Sequence, residues 1–306
     1  MELSIVTTLY CSSNYVDEFY HRASETAKQI SDDYEIIFVN DGSPDDSLQK
    51  ALNLHKKDPK VQVIDLSKNF GHHKALMTGI MHAKSNYIFI IDSDLEEPPE
   101  LLKAFYEKIR ENPDCDVIYS VREKRPGPIT TRILGDAFYF ILNLLSHEKF
   151  NNRMGISRIM TNRFCRSLRA FRERELFILG LMFMTGYKQL PYTINVQFKG
   201  QTTYTFRKKI SLAVNAITSF SDKPLKLISY MGIIISIISG LSICYLILKK
   251  ILFQNMLLGW TSLIVSIWFV GGLVLTCLGI IGIYIAKIFI ETKHRPYTII
   301  KEIYKK

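Results

Sequence analysis

Up to Asp222 the chain alternates short apolar runs with amphipathic stretches, and each has a readable period. Leu3–Tyr10 (LSIVTTLY), Tyr34–Asp41 (YEIIFVND), Val61–Ser67 (VQVIDLS), Tyr87–Asp94 (YIFIIDSD) and Asp116–Arg122 (DVIYSVR) are short, rich in β-branched and aromatic residues, and read as strands. Val16–Ile30 repeats apolar residues at Phe19, Ala23, Ala27 and Ile30, a helical spacing. A second helix is expected to open at SPDDSLQKAL, with Ser43 as N-cap, Pro44 in the first helical position, and Asp45 and Asp46 favouring the dipole. His72–Lys84 and the proline-opened PPELLKAFYEKIREN complete the series. Strand–helix alternation of this kind predicts an α/β fold, a mostly parallel sheet with helices on both faces.

Beyond Asp222 the pattern changes. Leu227–Leu248 carries no charge, and neither does Ile251–Ala286. Since about 20 residues at 1.5 Å each cross a hydrocarbon core, the pair predicts two transmembrane helices. Gly271, Gly272, Gly279 and Gly282 in the second suit close helix contact, and a homo-oligomer is a further expectation. Phe206–Phe220 places Ile210, Ala213, Val214, Ile217 and Phe220 at helical spacing behind a basic start, which suits an interfacial helix; a helix packed on the soluble part is the alternative.

The net charge of +10 is then placed by position. Arg207, Lys208, Lys209, Lys223 and Lys226 precede the first span; Lys287, Lys293, Arg295, Lys301, Lys305 and Lys306 follow the second; only Lys249 and Lys250 lie between. Both termini are therefore expected on the cytoplasmic side of a bacterial inner membrane, and nucleic acid is not an expected partner. The expected division is a catalytic domain over 1–205, a juxtamembrane helix and linker over 206–226, a transmembrane hairpin over 227–290 and a basic tail over 291–306. The five cysteines form no C-x-x-C pair, so neither zinc site nor disulfide framework is signalled. No G-x-G-x-x-G or G-x-x-x-x-G-K-[ST] is present.

Ligands of such sheets bind at the carboxyl ends of strands. Asp41 follows the second predicted strand, Lys68 and Asn69 the third, Asp92 and Asp94 the fourth, and Arg122 and Arg125 the fifth. Two carboxylates converging at a strand exit repel unless a cation joins them, and oxygen-rich sites suit Mg²⁺ or Mn²⁺ shared with a phosphate. A D-x-D therefore reads as a metal site gripping a nucleoside diphosphate. His72 and His73 follow Gly71 and could face a phosphate, but read more simply as opening a helix; His21, His55 and His82 read as structural or exposed, and Arg169, Arg172 and Arg174 as part of a solvated face.

These residues carry a resemblance. FVNDGSPDDS is similar to the V-D-D-G-S-x-D-x-[ST] turn of the family 2 glycosyltransferases, and LSKNFGHHKALMTGIMHAKSNYIFIIDSDLEEPPE to their R-N-F-G … D-A-D-L-Q-D-P-P-E block. VREKRPG, KGQTTYTFRKKISLAVNAITSFSDKPLKL and the closing GIIGIYIAKIFIETKHRPYTII resemble further motifs of the polyprenyl-phosphate glycosyltransferases, the group of bactoprenol glucosyltransferase and dolichol-phosphate mannose synthase. The resemblance implies a GT-A fold and an inverting transfer from a nucleotide-sugar, a UDP-sugar by preference, to undecaprenyl phosphate. It implies nucleotide contacts from Thr8, Tyr10, Asp41, Lys68, Asn69, Asp92 and Ser93, metal contacts from Asp94 and Glu96, and acceptor-phosphate contacts from Arg122, Arg125, Arg132 and Arg207. Asp92, Asp94, Arg122 and Arg125 form its catalytic set. The chain departs from the family pattern in GISRIMTNR, which has no acid before Arg158, at Gln197 and Thr203, and at Glu97. A lipid-linked saccharide or glycan acceptor is the alternative reading, and a non-catalytic membrane scaffold a lesser one.

Overall fold

The five β-branched runs form β1 (Leu3–Leu9), β2 (Tyr34–Asn40), β3 (Val61–Leu66), β4 (Tyr87–Ile90) and β5 (Val117–Arg122). Between them lie α1 (Val16–Lys28), α2 (Ser47–Lys57), α3 (His72–His82) and α4 (Leu101–Glu111). Then follow β6 (Met154–Thr161), α5 (Asn162–Ala170), α6 (Ile178–Met184), β7 (Gln189–Ile194), the long helices α7 (Lys223–Phe253) and α8 (Trp260–Thr292), and β8 (Ile300–Tyr304). The computed structural model describes residues 1–123, 143, 153–174, 178–195, 221–253 and 259–305. The chain divides into one unit of residues 1–140, 150–204 and 294–306, and another of 141–149 and 205–293.

The first unit is built on one eight-stranded sheet in the order β7-β5-β6-β4-β1-β2-β3-β8. The pairs β1–β2, β1–β4, β2–β3 and β5–β7 are parallel, as strand–helix alternation requires. β6 runs against both β4 and β5, and β8 against β3, so the sheet is mixed. β1, β2 and β3 are buried along their whole length, because helices cover both faces. One face packs Leu3, Ile5, Phe38 and Val63 against Phe19 of α1, Ala51 of α2 and Phe105 of α4. Side chains alternate between faces, so Val6 and Val39 point the other way, toward α3. Gly79 sits there because a Cβ at that position would lie 2.3 Å from Val6 Cγ1.

Two expectations shift in detail. α2 starts at Ser47, not at Pro44. Ser43 is not its cap: its hydroxyl donates to Asp45 Oδ1 (2.5 Å) and accepts from Cys11 N (2.8 Å). Arg169 is not part of a solvated face. It donates to the carbonyls of Ile80 and Ala83 and closes the C-terminal end of α3. His55 and His82 do have structural partners, the carbonyls of Val61 and Thr78.

The C-terminal residues are part of the sheet rather than a free tail. β8 pairs with β3, with Ile64 opposite Ile303. Ser67 N donates to Ile299 O (2.9 Å), Thr78 and Thr298 hydroxyls meet at 2.8 Å, and Tyr297 Oη donates to Phe171 O at 2.5 Å.

The second unit contains α7 and α8. Large apolar side chains stand exposed along both: Leu227, Ile234, Ile238 and Leu241 on α7, and Ile267, Trp268, Leu275 and Phe289 on α8. Within α8, Ser266–Thr292 is long and apolar enough to cross a membrane, with mean hydropathy 2.4 and no buried residue in its most apolar stretch. Length and composition of this kind match a membrane span. The expected interfacial helix, Phe206–Phe220, lies outside the described residues.

Deleting residues 296–306 bares the hydrogen-bonding edge of β3 and removes the Tyr297 and Thr298 anchors. The expected result is a Tm lower by roughly 5–10 °C and greater aggregation, measured by thermal unfolding with light scattering.

Candidate active site

Parallel strands deliver their successor residues to one edge, and Tyr10, Asp41, Ser67 and Ile91 all follow strand ends there. The loop after β3 is shaped from outside. Asp41, only 2% exposed, accepts hydrogen bonds from Phe70 N (2.7 Å) and Gly71 N (3.0 Å). Burial pushes its carboxyl up, and those two N–H groups oppose the shift. Gly42, at φ 61°, completes the clasp, because a Cβ there would lie 2.5 Å from Asn69 N and from Lys68 C. The D-G pair thus holds the loop carrying Lys68 and Asn69, both exposed.

Gly71 (φ 98°) then starts α3 and delivers His72. Its Nδ1 lies 3.0 Å from Thr8 Oγ1, and its Nε2 3.4 Å from Asp92 Oδ1. His72 therefore joins the ends of β1 and β4. Ser93 reinforces the junction by donating to Thr8 O (3.0 Å), and Ser12 Oγ lies 3.1 Å from its hydroxyl. The Asp92 carboxyl is raised to about 6, first by burial, with the charges of Asp94, Glu97 and Glu96 adding to it and His72 opposing. Its side chain is 37% accessible, so a ligand can reach it.

The chain turns sharply after Asp94. Leu95 adopts φ 59°, a left-handed conformation that costs about 1–2 kcal/mol in a residue with a Cβ. In return, Asp94 Oδ1 accepts from Glu96 N (2.9 Å), and the carboxylates of Asp94 and Glu96 are fixed on one turn. Arg122 at the end of β5 reaches Glu96 Oε2 with NH2 (3.4 Å) and Glu97 Oε1 with Nε (3.6 Å). Among the described residues no three His, Cys, Asp or Glu side chains converge closely enough to hold a metal by themselves. The residues fit a different arrangement, a hard cation sharing one or two carboxylates with diphosphate oxygens. Burial is the main cause of the raised Asp92 carboxyl, and such a cation would relieve the repulsion from Asp94, Glu97 and Glu96 that adds to it.

The structure thus brings Thr8, Asp92 and Ser93 together through His72, and Asp94 and Glu96 together with Arg122. Tyr10 stands exposed at the end of β1. Arg125, Arg132 and Arg207 lie outside the described residues. Sequence reasoning allowed His72 a place facing a phosphate but read it more simply as opening a helix, and did not foresee its position between Thr8 and Asp92. It also missed a buried group behind the site. Arg158 is fully buried, and donates to Gly155 O (2.9 Å), Ile156 O (3.1 Å) and Met182 Sδ (3.0 Å). Burial lowers its pKa to about 10, so it remains a cation at neutral pH. A basic residue in the middle of an otherwise apolar strand was the available signal.

Residues 4–175 match the family described as "Glycosyl transferase family 2". A Mycobacterium tuberculosis (strain CDC 1551 / Oshkosh) protein described as a glycosyltransferase is 50% identical over 304 residues, 99% of this chain and 89% of that one. The Escherichia coli (strain K12) "Prophage bactoprenol glucosyl transferase homolog" is 32% identical over 307 residues, with 100% of both chains covered. The fold is similar to that of glucosyl-3-phosphoglycerate synthase from Mycobacterium tuberculosis, solved with Mn²⁺, uridine diphosphate and phosphoglyceric acid. The TM-score is 0.51 at 12% identity, covering 71% of this chain and 76% of that one. The site and sheet define a GT-A-like sugar-transferring enzyme. The chain belongs to glycosyl transferase family 2.

Replacing Asp41 with Ala leaves the Phe70 and Gly71 N–H groups without their acceptor. At about 1–3 kcal/mol per unsatisfied buried group, Tm falls and donor binding is lost with it, as read by thermal unfolding and nucleotide titration. His73 supplies a pH test. Burial, then the charges of His72 and Arg158, lower its pKa to about 3, so the folded protein keeps it neutral. The unfolded chain takes up that proton near pH 6.5, so this contribution to stability is lost progressively as pH falls from about 6.5 toward 3. In His73→Gln, the decline of Tm between pH 7 and pH 4 is expected to be shallower than in the wild type.

Proposed function

We propose that the protein transfers a sugar from a nucleotide-sugar, a UDP-sugar, to undecaprenyl phosphate at the cytoplasmic face of a bacterial inner membrane. One observation carries this reading: a family 2 catalytic unit is continuous in sequence with two long helices that expose apolar side chains. The full-length relative named for bactoprenol glucosyl transfer supports it. In this reading α7 and α8 are the two spans, with Lys249 and Lys250 in the outer turn. The chain leaves the sheet after β7 and re-enters it at β8, so both ends of the inserted segment belong to one folded unit. An even number of crossings satisfies that connectivity, and an odd number does not.

The chemistry is a single displacement. The acceptor phosphate is already ionised near neutral pH, so its oxygen attacks the anomeric carbon without first losing a proton. The bond from that carbon to the diphosphate oxygen breaks, and its electron pair leaves with the nucleoside diphosphate. This makes an acid in GISRIMTNR unnecessary for the attack. Asp94 and Glu96 would hold Mg²⁺ or Mn²⁺, which would supply Lewis-acid stabilisation of the leaving diphosphate. Thr8, Tyr10, Lys68, Asn69, Asp92 and Ser93 line the donor side, and Asp41 contributes by fixing the loop. Arg122, with Arg125, Arg132 and Arg207, binds the acceptor phosphate, where planar guanidinium forks match pairs of oxygens.

The test is transfer of labelled sugar from a panel of UDP- and GDP-sugars to undecaprenyl phosphate by the purified full-length protein with Mg²⁺ or Mn²⁺. A lipid-phosphate sugar inverted at the anomeric carbon is expected, with the rate reduced about 100-fold or more in Asp94→Asn. Retention of configuration overturns the single displacement. Product only on a lipid-linked saccharide or glycan moves the acceptor and overturns the phosphate reading.

A further inference from the structure

Glu97 follows the Asp94–Glu96 turn but is placed differently from its neighbours. Its side chain is 5% accessible, against 35% for Glu96. Oε2 accepts from Ser120 Oγ on β5 (3.0 Å) and from Ser157 N on β6 (3.0 Å), so the carboxylate is anchored to two strands at once. Oε1 faces Arg122 Nε at 3.6 Å. Both of those atoms are buried, and neither has a hydrogen-bond partner among the described residues. A buried donor and a buried acceptor left unpaired are costly, and here they face each other one short movement from a hydrogen bond.

The neighbouring glycine supports the same arrangement. A Cβ on Gly155 would lie 2.1 Å from Glu97 Oε1 and 2.1 Å from Ser120 Oγ. Any side chain there would displace the carboxylate. Arg158, the other buried cation nearby, directs its hydrogen bonds to Gly155 O, Ile156 O and Met182 Sδ, not to Glu97.

We propose that Glu97 is a positioning residue that holds the inner edge of the Arg122 guanidinium, leaving its outer N–H groups for the acceptor phosphate, and that Gly155 makes room for it. The proposal rests on the assignment of Arg122 to that phosphate under Proposed function. A guanidinium offers five N–H donors in a rigid fork. Glu97 takes the Nε edge. Glu96 touches NH2 from the solvent side at 3.4 Å, where a phosphate can replace it. Arg122 is then aimed before the acceptor arrives, and less side-chain freedom is lost on binding.

The experiment compares full-length wild type, Glu97→Gln, Arg122→Gln, the double variant and Gly155→Ala. It reads kcat and KM for undecaprenyl phosphate, Kd for the nucleotide-sugar, and Tm. Glu97→Gln is expected to raise the acceptor KM about 10-fold, and the double variant to be no worse than Arg122→Gln alone. Gly155→Ala reproduces the Glu97→Gln effect, and donor Kd stays within about 2-fold throughout. Independent, multiplying effects of the two substitutions overturn the proposal. So does an unmoved acceptor KM, or a donor Kd and Tm that shift in step with it, which marks a structural role. If the wild type makes no lipid-phosphate product, it is the reading of the acceptor that fails. The Tm values of the four-protein cycle then decide whether Glu97 holds Arg122: coupling supports that contact, and additivity overturns it.

Discussion

The cleft depends on a carboxylate that never needs to touch a substrate to matter. Asp41 spends both oxygens on the backbone of the next loop, at Phe70 and Gly71. Those two bonds set where α3 begins, and so where His72 stands. His72 in turn spans Thr8 and Asp92, the ends of two adjacent strands. Remove the first link and the later ones have nothing to fix them. The buried position of Asp41 makes the arrangement stiff, since its acceptor capacity has no water to turn to. Gly42 is the steric counterpart, admitting the loop that Asp41 binds.

After β4, charge joins hydrogen bonding in setting the geometry. Four carboxylates follow β4 within a few residues, and burial first, then repulsion among them, raises the Asp92 carboxyl. Cations partly balance them: Arg122 at the rim and Arg158 in the interior. Arg158 bonds only neutral acceptors, so its charge stays largely uncompensated by contact and acts through the poorly hydrated interior. The site therefore combines a rigid donor side with an acidic turn whose excess charge favours a cation.

Much of this was legible in the order of residues. Strands ending in Asp41, Lys68, Asp92 and Arg122 could be read directly, because period and strand-end chemistry are local signals. The reversal of β6 and the addition of β8 were not, since direction and pairing of a strand depend on partners far along the chain. The same holds for Glu97. Its partners Ser120 and Ser157 are 23 and 60 residues away, and nothing about a serine or a glycine announces such a meeting. His72 was underread for a related reason: next to a glycine, a histidine looks like a helix opener, and only the fold brings Asp92 to it. Arg169 looked like a surface charge because its carbonyl partners lie on another helix.

The pairing of β8 with β3 also has a consequence in time. Thr78 and Thr298 meet across 220 residues of chain. During synthesis, β3 is made early and keeps a bare edge while every helix after it emerges. Only β8, made after all of those helices, covers that edge. The sheet is therefore completed after the apolar helices have been made and have found their surroundings, and a chain stalled before that point carries an open strand that marks it as unfinished.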